Sequence, residues 1–127
     1  VVDGVRAFHK AHPEDFRACR DYIDSEWGAD KYPGYCHIIP NAGVCILALL
    51  YGENDLGRTI EVSCMCGFDT DCNGATVGSI LGMRNTVDGI EECWKKPING
   101  KIHTSIFGVG TVDIEKAGEK RIVHTKF

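Results

Sequence analysis

Asp69 and Asp71 stand two residues apart in the run Gly67-Phe68-Asp69-Thr70-Asp71-Cys72-Asn73, directly ahead of a glycine-spaced helical stretch. In an extended segment, side chains at i and i+2 point the same way. Two carboxylates side by side repel each other unless a proton or cation lies between them. Hard divalent cations such as Mg²⁺ take oxygen ligands of this kind, and the free N–H groups of a helix start favour anions, phosphate among them. The competing use of the pair is plain capping, with one carboxylate bonded to the helix start and the other solvated.

Two other chemistries compete for the same residues. Asp69-x-Asp71-x-Asn73-Gly74 matches the first half of an EF-hand calcium loop. The twelfth position of such a loop needs a bidentate Glu, and here it is Ile80 in an apolar stretch, so the calcium loop is set aside. Cys64, Cys66 and Cys72, with Cys36-His37, could be imagined as a structural zinc site. They lack the Cys-x-x-Cys spacing, and Cys-x-Cys on a helix directs its thiols about 200° apart. Buried reduced thiols are the preferred reading. A nucleophile–base pair at Cys36 and His37 is equally weak, since such pairs are assembled in space rather than along the chain.

The elements that must position these residues are mostly helical. Pro13-Glu14-Asp15 opens a helix to about Trp27, with Phe16, Cys19, Ile23 and Trp27 on one face. Gly28, Pro33 and Gly34 mark a loop, and Pro40 suits the first turn of a second helix to Tyr51. That helix is apolar on nearly all sides, as one in the middle of a bundle should be, and few other helices in the chain could surround it. Asp55 caps a third helix, Leu56 to Cys66, ended by Gly67. A fourth runs from about Cys72 to Arg84. Its Gly74, Gly78 and Gly82 form a stripe without side chains, which predicts close approach of another backbone. Asp88 caps a short fifth helix, Ile90 to Trp94, closed by Pro97. Beyond it, Ile102–Phe107 and Val109–Ile114 suggest an irregular arm or weak hairpin, followed by Arg121-Ile122-Val123.

Residues 67–82, Gly-Phe-Asp-Thr-Asp-Cys-Asn-Gly-Ala-Thr-Val-Gly-Ser-Ile-Leu-Gly, resemble the C-terminal metal motif of the ADP-ribosylglycohydrolases, in which Gly-Asp-Thr-Asp-x-x-Ala leads into Gly-x-x-x-Gly. Cys36 to Gly43, Ala48 to Gly52, Val87 to Trp94 and Lys96 to Asn99 resemble flanking segments of that family. The likeness is clear over residues 31–99, looser over 1–30 and scarce over 100–127. It implies an all-α, ADP-ribosylglycohydrolase-like helical bundle, present here in part over residues 1–99, with residues 100–127 as an irregular or weakly β tail. It also implies two Mg²⁺ ions per complete site and hydrolysis of the bond from ADP-ribose to a protein side chain or small acceptor. Asp69 and Asp71 then become metal ligands, with Cys72 at a third position usually held by Thr. Gly67, Phe68, Thr70, His37 and Asn41 become substrate contacts, although His37 and Asn41 serve equally well as a helix-leading loop. Phe68 stands where Gly is common, and a thiol is a poor ligand for hard Mg²⁺.

The family's other metal half is a Thr-Asp-Asp cluster, and no Asp-Asp pair occurs in this chain. The chain, beginning Val1-Val2-Asp3 without Met, therefore reads as a processed, trimmed or partial one. The catalytic group and remaining ligands are expected on a missing N-terminal part or another subunit, and the isolated chain is expected to be inactive. The alternative is a non-catalytic structural or ligand-binding relative of the same family.

The bulk properties agree. The chain has 127 residues, 43% of them hydrophobic and 25% charged, with 14 Lys and Arg against 18 Asp and Glu, a net charge of −4. That balance speaks against a general nucleic-acid binder. The apolar run Val44–Leu50 is too short to span a bilayer. Seven cysteines, several in apolar stretches, favour a reducing, cytoplasmic setting. Lys116, Lys120 and Arg121 read as a solvated face.

Overall fold

The computed structural model describes residues 1–116. The chain divides into two compact units, Val1–Val87 and Asp88–Phe127. The first unit is wholly helical: α1 (Val2–Ala11), α2 (Phe16–Trp27), α3 (Ile38–Tyr51), α4 (Leu56–Met65) and α5 (Thr70–Asn85). The all-α expectation holds.

The first helix, α1, is absent from the sequence reading. Val1, Val5 and Phe8, at i, i+4 and i+7, mark its apolar face, a helical spacing that the sequence reading passed over, and Val5 is fully buried in the core. The second begins later than Pro13. Asp15 is its N-cap, accepting from the Ala18 N–H at 2.9 Å. Phe16, Cys19 and Ile23 enter the core as their spacing requires, while Trp27 stays half-buried.

The centre of the unit is α3, which packs against α1, α2, α4 and α5. Val44, Leu47 and Ala48 are fully buried there. The neighbours that seemed too few include α1. The Tyr51 hydroxyl donates to the His12 carbonyl at 2.7 Å and ties the end of α3 to the end of α1.

Asp55 caps α4 as expected, accepting from the Arg58 N–H at 2.6 Å. Gly67, at φ +65°, turns the chain out of that helix in a conformation costly for residues with a Cβ. The next helix, α5, starts at Thr70, two residues before the expected Cys72. It is continuous through Gly74 and Ile80, so no calcium loop exists there. Its buried stripe is Asn73, Val77 and Leu81.

The glycine stripe needs correction. A Cβ on Gly74 would lie 3.6 Å from Cys64 Sγ, and one on Gly78 would lie 3.4 Å from Ile60 Cδ1, which are ordinary van der Waals separations. These glycines face side chains of α4, not a closely approaching backbone.

The second unit holds a short helix, α6 (Glu92–Lys95), a 3₁₀ turn at Lys96–Ile98, and two strands, β1 (Lys101–His103) and β2 (Thr111–Asp113). The short helix begins at Glu92 with Glu91 as its N-cap, rather than near Ile90 under Asp88. The strands pair antiparallel, Lys101 with Asp113 and His103 with Thr111, so the hairpin forms with shorter strands than expected. Lys116 is exposed and pairs with Asp113. Lys120 and the run Arg121-Ile122-Val123 lie outside the described residues. Among the described residues no helix is long and apolar enough to cross a membrane.

Candidate metal centre

The expected extended Asp-x-Asp does not form. Asp69 sits at the N-cap of α5 in the left-handed region, at φ 46° and ψ 50°, which Asp tolerates better than most residues. Asp71 and Cys72 occupy the first turn of the helix. This sharp entry, rather than strand alternation, brings the groups together. One ligand atom from each of Asp69, Asp71 and Cys72 lies within 4.8 Å of the others, and Asp71 and Cys72 are exposed.

The Asp69 carboxylate does not cap the helix, as no N–H of the first turn bonds to it. It accepts instead from Asn41 Nδ2 at 2.6 Å, across from α3. Plain capping is therefore not its role. Asn41 Oδ1 is buried with no hydrogen-bond partner among the described residues, so the amide is held on one side only.

Asn73 anchors the start of α5 and was singled out in sequence only as a calcium-loop position. It is 2% exposed. Its Nδ2 donates to the Phe68 carbonyl at 2.9 Å, and its Oδ1 accepts from Cys45 Sγ at 3.1 Å. Its backbone N–H bonds the Asp69 carbonyl at 2.8 Å. A polar residue in register with Val77 and Leu81 was the available signal, since a buried amide must be bonded on both ends.

The other expected residues lie around this core. The Phe68 ring packs against the hydrophobic core and under the Arg20 guanidinium, 5.6 Å from the ring centroid. Arg20 Nε donates to the Cys66 carbonyl at 2.9 Å and pins the turn before Asp69 onto α2. Thr70 is exposed, and its carbonyl accepts from Cys64 Sγ at 3.9 Å. His37 caps α3, its Nδ1 accepting from the Ile39 N–H at 3.2 Å. That bond occupies the ring nitrogen a Cys36 nucleophile could have used.

The seven cysteines of the described residues are all free. Cys66 is buried, where loss of water pushes its thiol up to about 11, while Cys64 faces Gly74. Cys36 and Cys72 behave differently. Both are exposed. The neighbouring Asp69 carboxylate, then the charge of Asp71, raises the Cys72 thiol above its ordinary value. Desolvation, then the Asp69 charge, does the same for Cys36.

The profile of the ADP-ribosylglycohydrolase family matches residues 2–123. The chain belongs to the ADP-ribosylglycohydrolase family. This is a hydrolase family, and the match covers nearly the whole chain, including the ends where the sequence likeness was loose or scarce. No curated protein and no solved structure matches the chain significantly.

The donor set can be tested against the cation that the family resemblance implies. Asp69 and Asp71 offer the oxygen donors that Mg²⁺ requires. The third converging group, Cys72, does not fit, because Mg²⁺ is hard and sulfur soft.

Proposed function

We propose that this chain supplies part of the cation-binding centre of an ADP-ribosyl hydrolase, an enzyme that cleaves the glycosidic bond between ADP-ribose and an acceptor. One observation carries the reading. The carboxylates of Asp69 and Asp71 converge at the open start of α5, and Asp69 is braced by Asn41 instead of capping the helix.

In this reading the substrate is an ADP-ribose-containing small molecule or an ADP-ribosylated protein. Asp69 and Asp71 would hold the cations, which when bound would supply Lewis-acid chemistry for orienting the substrate and activating water. A two-Mg²⁺ site is what the family resemblance implies. The remaining ligands and the catalytic group would come from a segment or subunit carrying a second acidic cluster, since this chain has no Asp-Asp pair. Seven free thiols support a reducing, cytoplasmic setting.

The test is hydrolysis of an ADP-ribosylated substrate by this chain, together with any segment or subunit that carries the second acidic cluster, with Asp69→Ala and Asp71→Ala. Each substitution is expected to abolish turnover, and full activity in Asp71→Ala would refute the assignment. A non-catalytic, ligand-binding relative is the second reading, favoured by the Cys72 thiol among the expected Mg²⁺ ligands. Binding of ADP-ribose without turnover, in the presence of that segment or subunit, would support it.

A further inference from the structure

We propose that Asn99 is a self-modifying site. In the folded chain its side chain closes onto the Gly100 nitrogen, releases ammonia and leaves aspartate or isoaspartate at the head of the β1–β2 hairpin. The inference concerns the second unit and stands apart from the cation reading.

The dipeptide Asn-Gly occurs twice in the chain, at Asn73-Gly74 and at Asn99-Gly100. Glycine is the neighbour that obstructs such a closure least, because it has no Cβ beside its nitrogen and turns freely about the backbone. The two copies share that chemistry, so the fold decides which one reacts.

Asn73 is held. It is 2% exposed and lies inside α5. Its amide is bonded at both ends, to the Phe68 carbonyl and the Cys45 thiol. Its Cγ meets the next nitrogen only if the helix and the core open. Asn99 is placed the opposite way. It follows the 3₁₀ turn at Lys96–Ile98, and both it and Gly100 are exposed. Among the described residues neither its side-chain amide nor the Gly100 N–H has a hydrogen-bond partner. Its own N–H reaches the Lys96 carbonyl at 3.3 Å, beyond the usual range for such a bond. A Cβ on Gly100 would meet nothing within 4 Å, so the space about its nitrogen is open. Closure requires Asn99 to rotate away from its ψ of 30° until that nitrogen faces Cγ. No hydrogen bond on the Asn99–Gly100 peptide opposes the rotation among the described residues.

The step balances with water as the only co-reactant. The Gly100 nitrogen gives its proton to solvent base and bonds to Asn99 Cγ. The Cγ–Nδ2 bond breaks, and ammonia leaves with a proton from solvent, giving a cyclic imide. Water opens the imide at either carbonyl, to aspartate or to isoaspartate, and no electrons move. Both products carry a new negative charge, and isoaspartate also adds a methylene to the main chain. That insertion falls directly before Gly100, whose carbonyl accepts from the Ile114 N–H at 2.9 Å. The hairpin has three paired positions in all, so displacing this carbonyl loosens its open end.

The test incubates the full reduced chain, folded and in urea, at neutral and mildly alkaline pH. Peptides are then mapped by mass spectrometry with electron-transfer fragmentation, which separates isoaspartate from aspartate. In urea, Asn73 and Asn99 are expected to convert at similar rates. In the folded chain Asn99 should stay close to its urea rate, while Asn73 slows roughly 100-fold or more because it reacts only through opening of the core. The isoaspartyl form, isolated by ion exchange, should show faster hydrogen exchange at the Ile114 N–H than the unmodified chain. Asn99→Gln, whose side chain would have to close a larger and slower-forming ring, should yield no acidic species from this segment.

An Asn99 that stays intact in the folded chain, or slows there as much as Asn73, overturns the site. Conversion of Asn73 as fast as Asn99 in the fold overturns the claim that the structure selects between them. Unchanged exchange at Ile114 in the isoaspartyl form overturns the effect on the hairpin.

Discussion

Asn41 Nδ2 lies 2.6 Å from Asp69 Oδ2 and joins α3 to the start of α5. The bond fixes a carboxylate whose own backbone is left-handed and whose side chain makes no bond to the helix it begins. The apolar central helix thus contributes the polar group that aims the candidate metal ligand.

Replacing Asn41 by Ala should weaken divalent-cation binding roughly 10–100-fold, the usual effect of removing a ligand's hydrogen-bonded support. The cost in stability should be smaller, about 1 kcal/mol, because Asp69 is only partly buried and water can take the vacated place. Calorimetric titration of the variant alongside Asp69→Asn checks this. Unchanged affinity would remove Asn41 from the site.

Asn73 and Asp71 should separate stability from binding. Asn73 is buried and bonded to the Phe68 carbonyl and the Cys45 thiol, so Asn73→Ala strands both partners and should cost about 2–3 kcal/mol. Asp71 is exposed, and Asp71→Ala should change stability by within about 0.5 kcal/mol while removing cation binding. Urea denaturation of both variants measures the contrast. A strongly destabilised Asp71→Ala would make that residue structural.

The glycines of α5 and of the α3–α4 turn should respond with opposite signs. An added Cβ at Gly78 meets the end of the Ile60 side chain at 3.4 Å, so Gly78→Ala should stabilise α5 by up to about 1 kcal/mol through helix propensity. At Gly52 the Cβ would fall 2.7 Å from both the Ala48 carbonyl oxygen and Thr59 Cα. Gly52→Ala should therefore destabilise by about 1–3 kcal/mol. Thermal melts of the two variants decide it, and a destabilised Gly78→Ala would restore the close-packing role.

Alkaline pH should unfold the helical unit before it affects an ordinary protein of this size. Burial pushes the thiols of Cys19 and Cys66 from 9.0 to about 11, and burial also raises the Tyr51 hydroxyl. All three groups are neutral in the fold. Above pH 9 the unfolded chain releases these thiol protons first, so stability is full below that pH and falls as pH rises toward about 11. Cys66→Ala should flatten the decline between those values in a series of denaturation curves. An identical slope in the variant would show that Cys66 does not contribute.

Much of the helical scaffold is legible from local chemistry. Asp15 and Asp55 cap helices because a short carboxylate reaches free N–H groups three residues on. Phe16, Cys19 and Ile23 bury one face because their spacing matches the helical turn. The first helix was missed although Val1, Val5 and Phe8 keep the helical spacing, and it packs on α3. The glycine stripe misled because propensity shows that a residue is costly without showing what faces it.

The residue types at Asp69, Asp71 and Cys72, and their adjacency to a helix start, are properties of the chain, and with the flanking segments they were enough to point to the family. Which atoms converge is not local. Asn41 lies 28 positions from Asp69, and Cys45 lies 28 positions from Asn73. Both pairs meet only because α3 is buried in the middle of the bundle with the start of α5 packed against it. Hydrogen bonds and metal donors act over a few ångströms, so the composition of the site depends on packing that no short motif encodes.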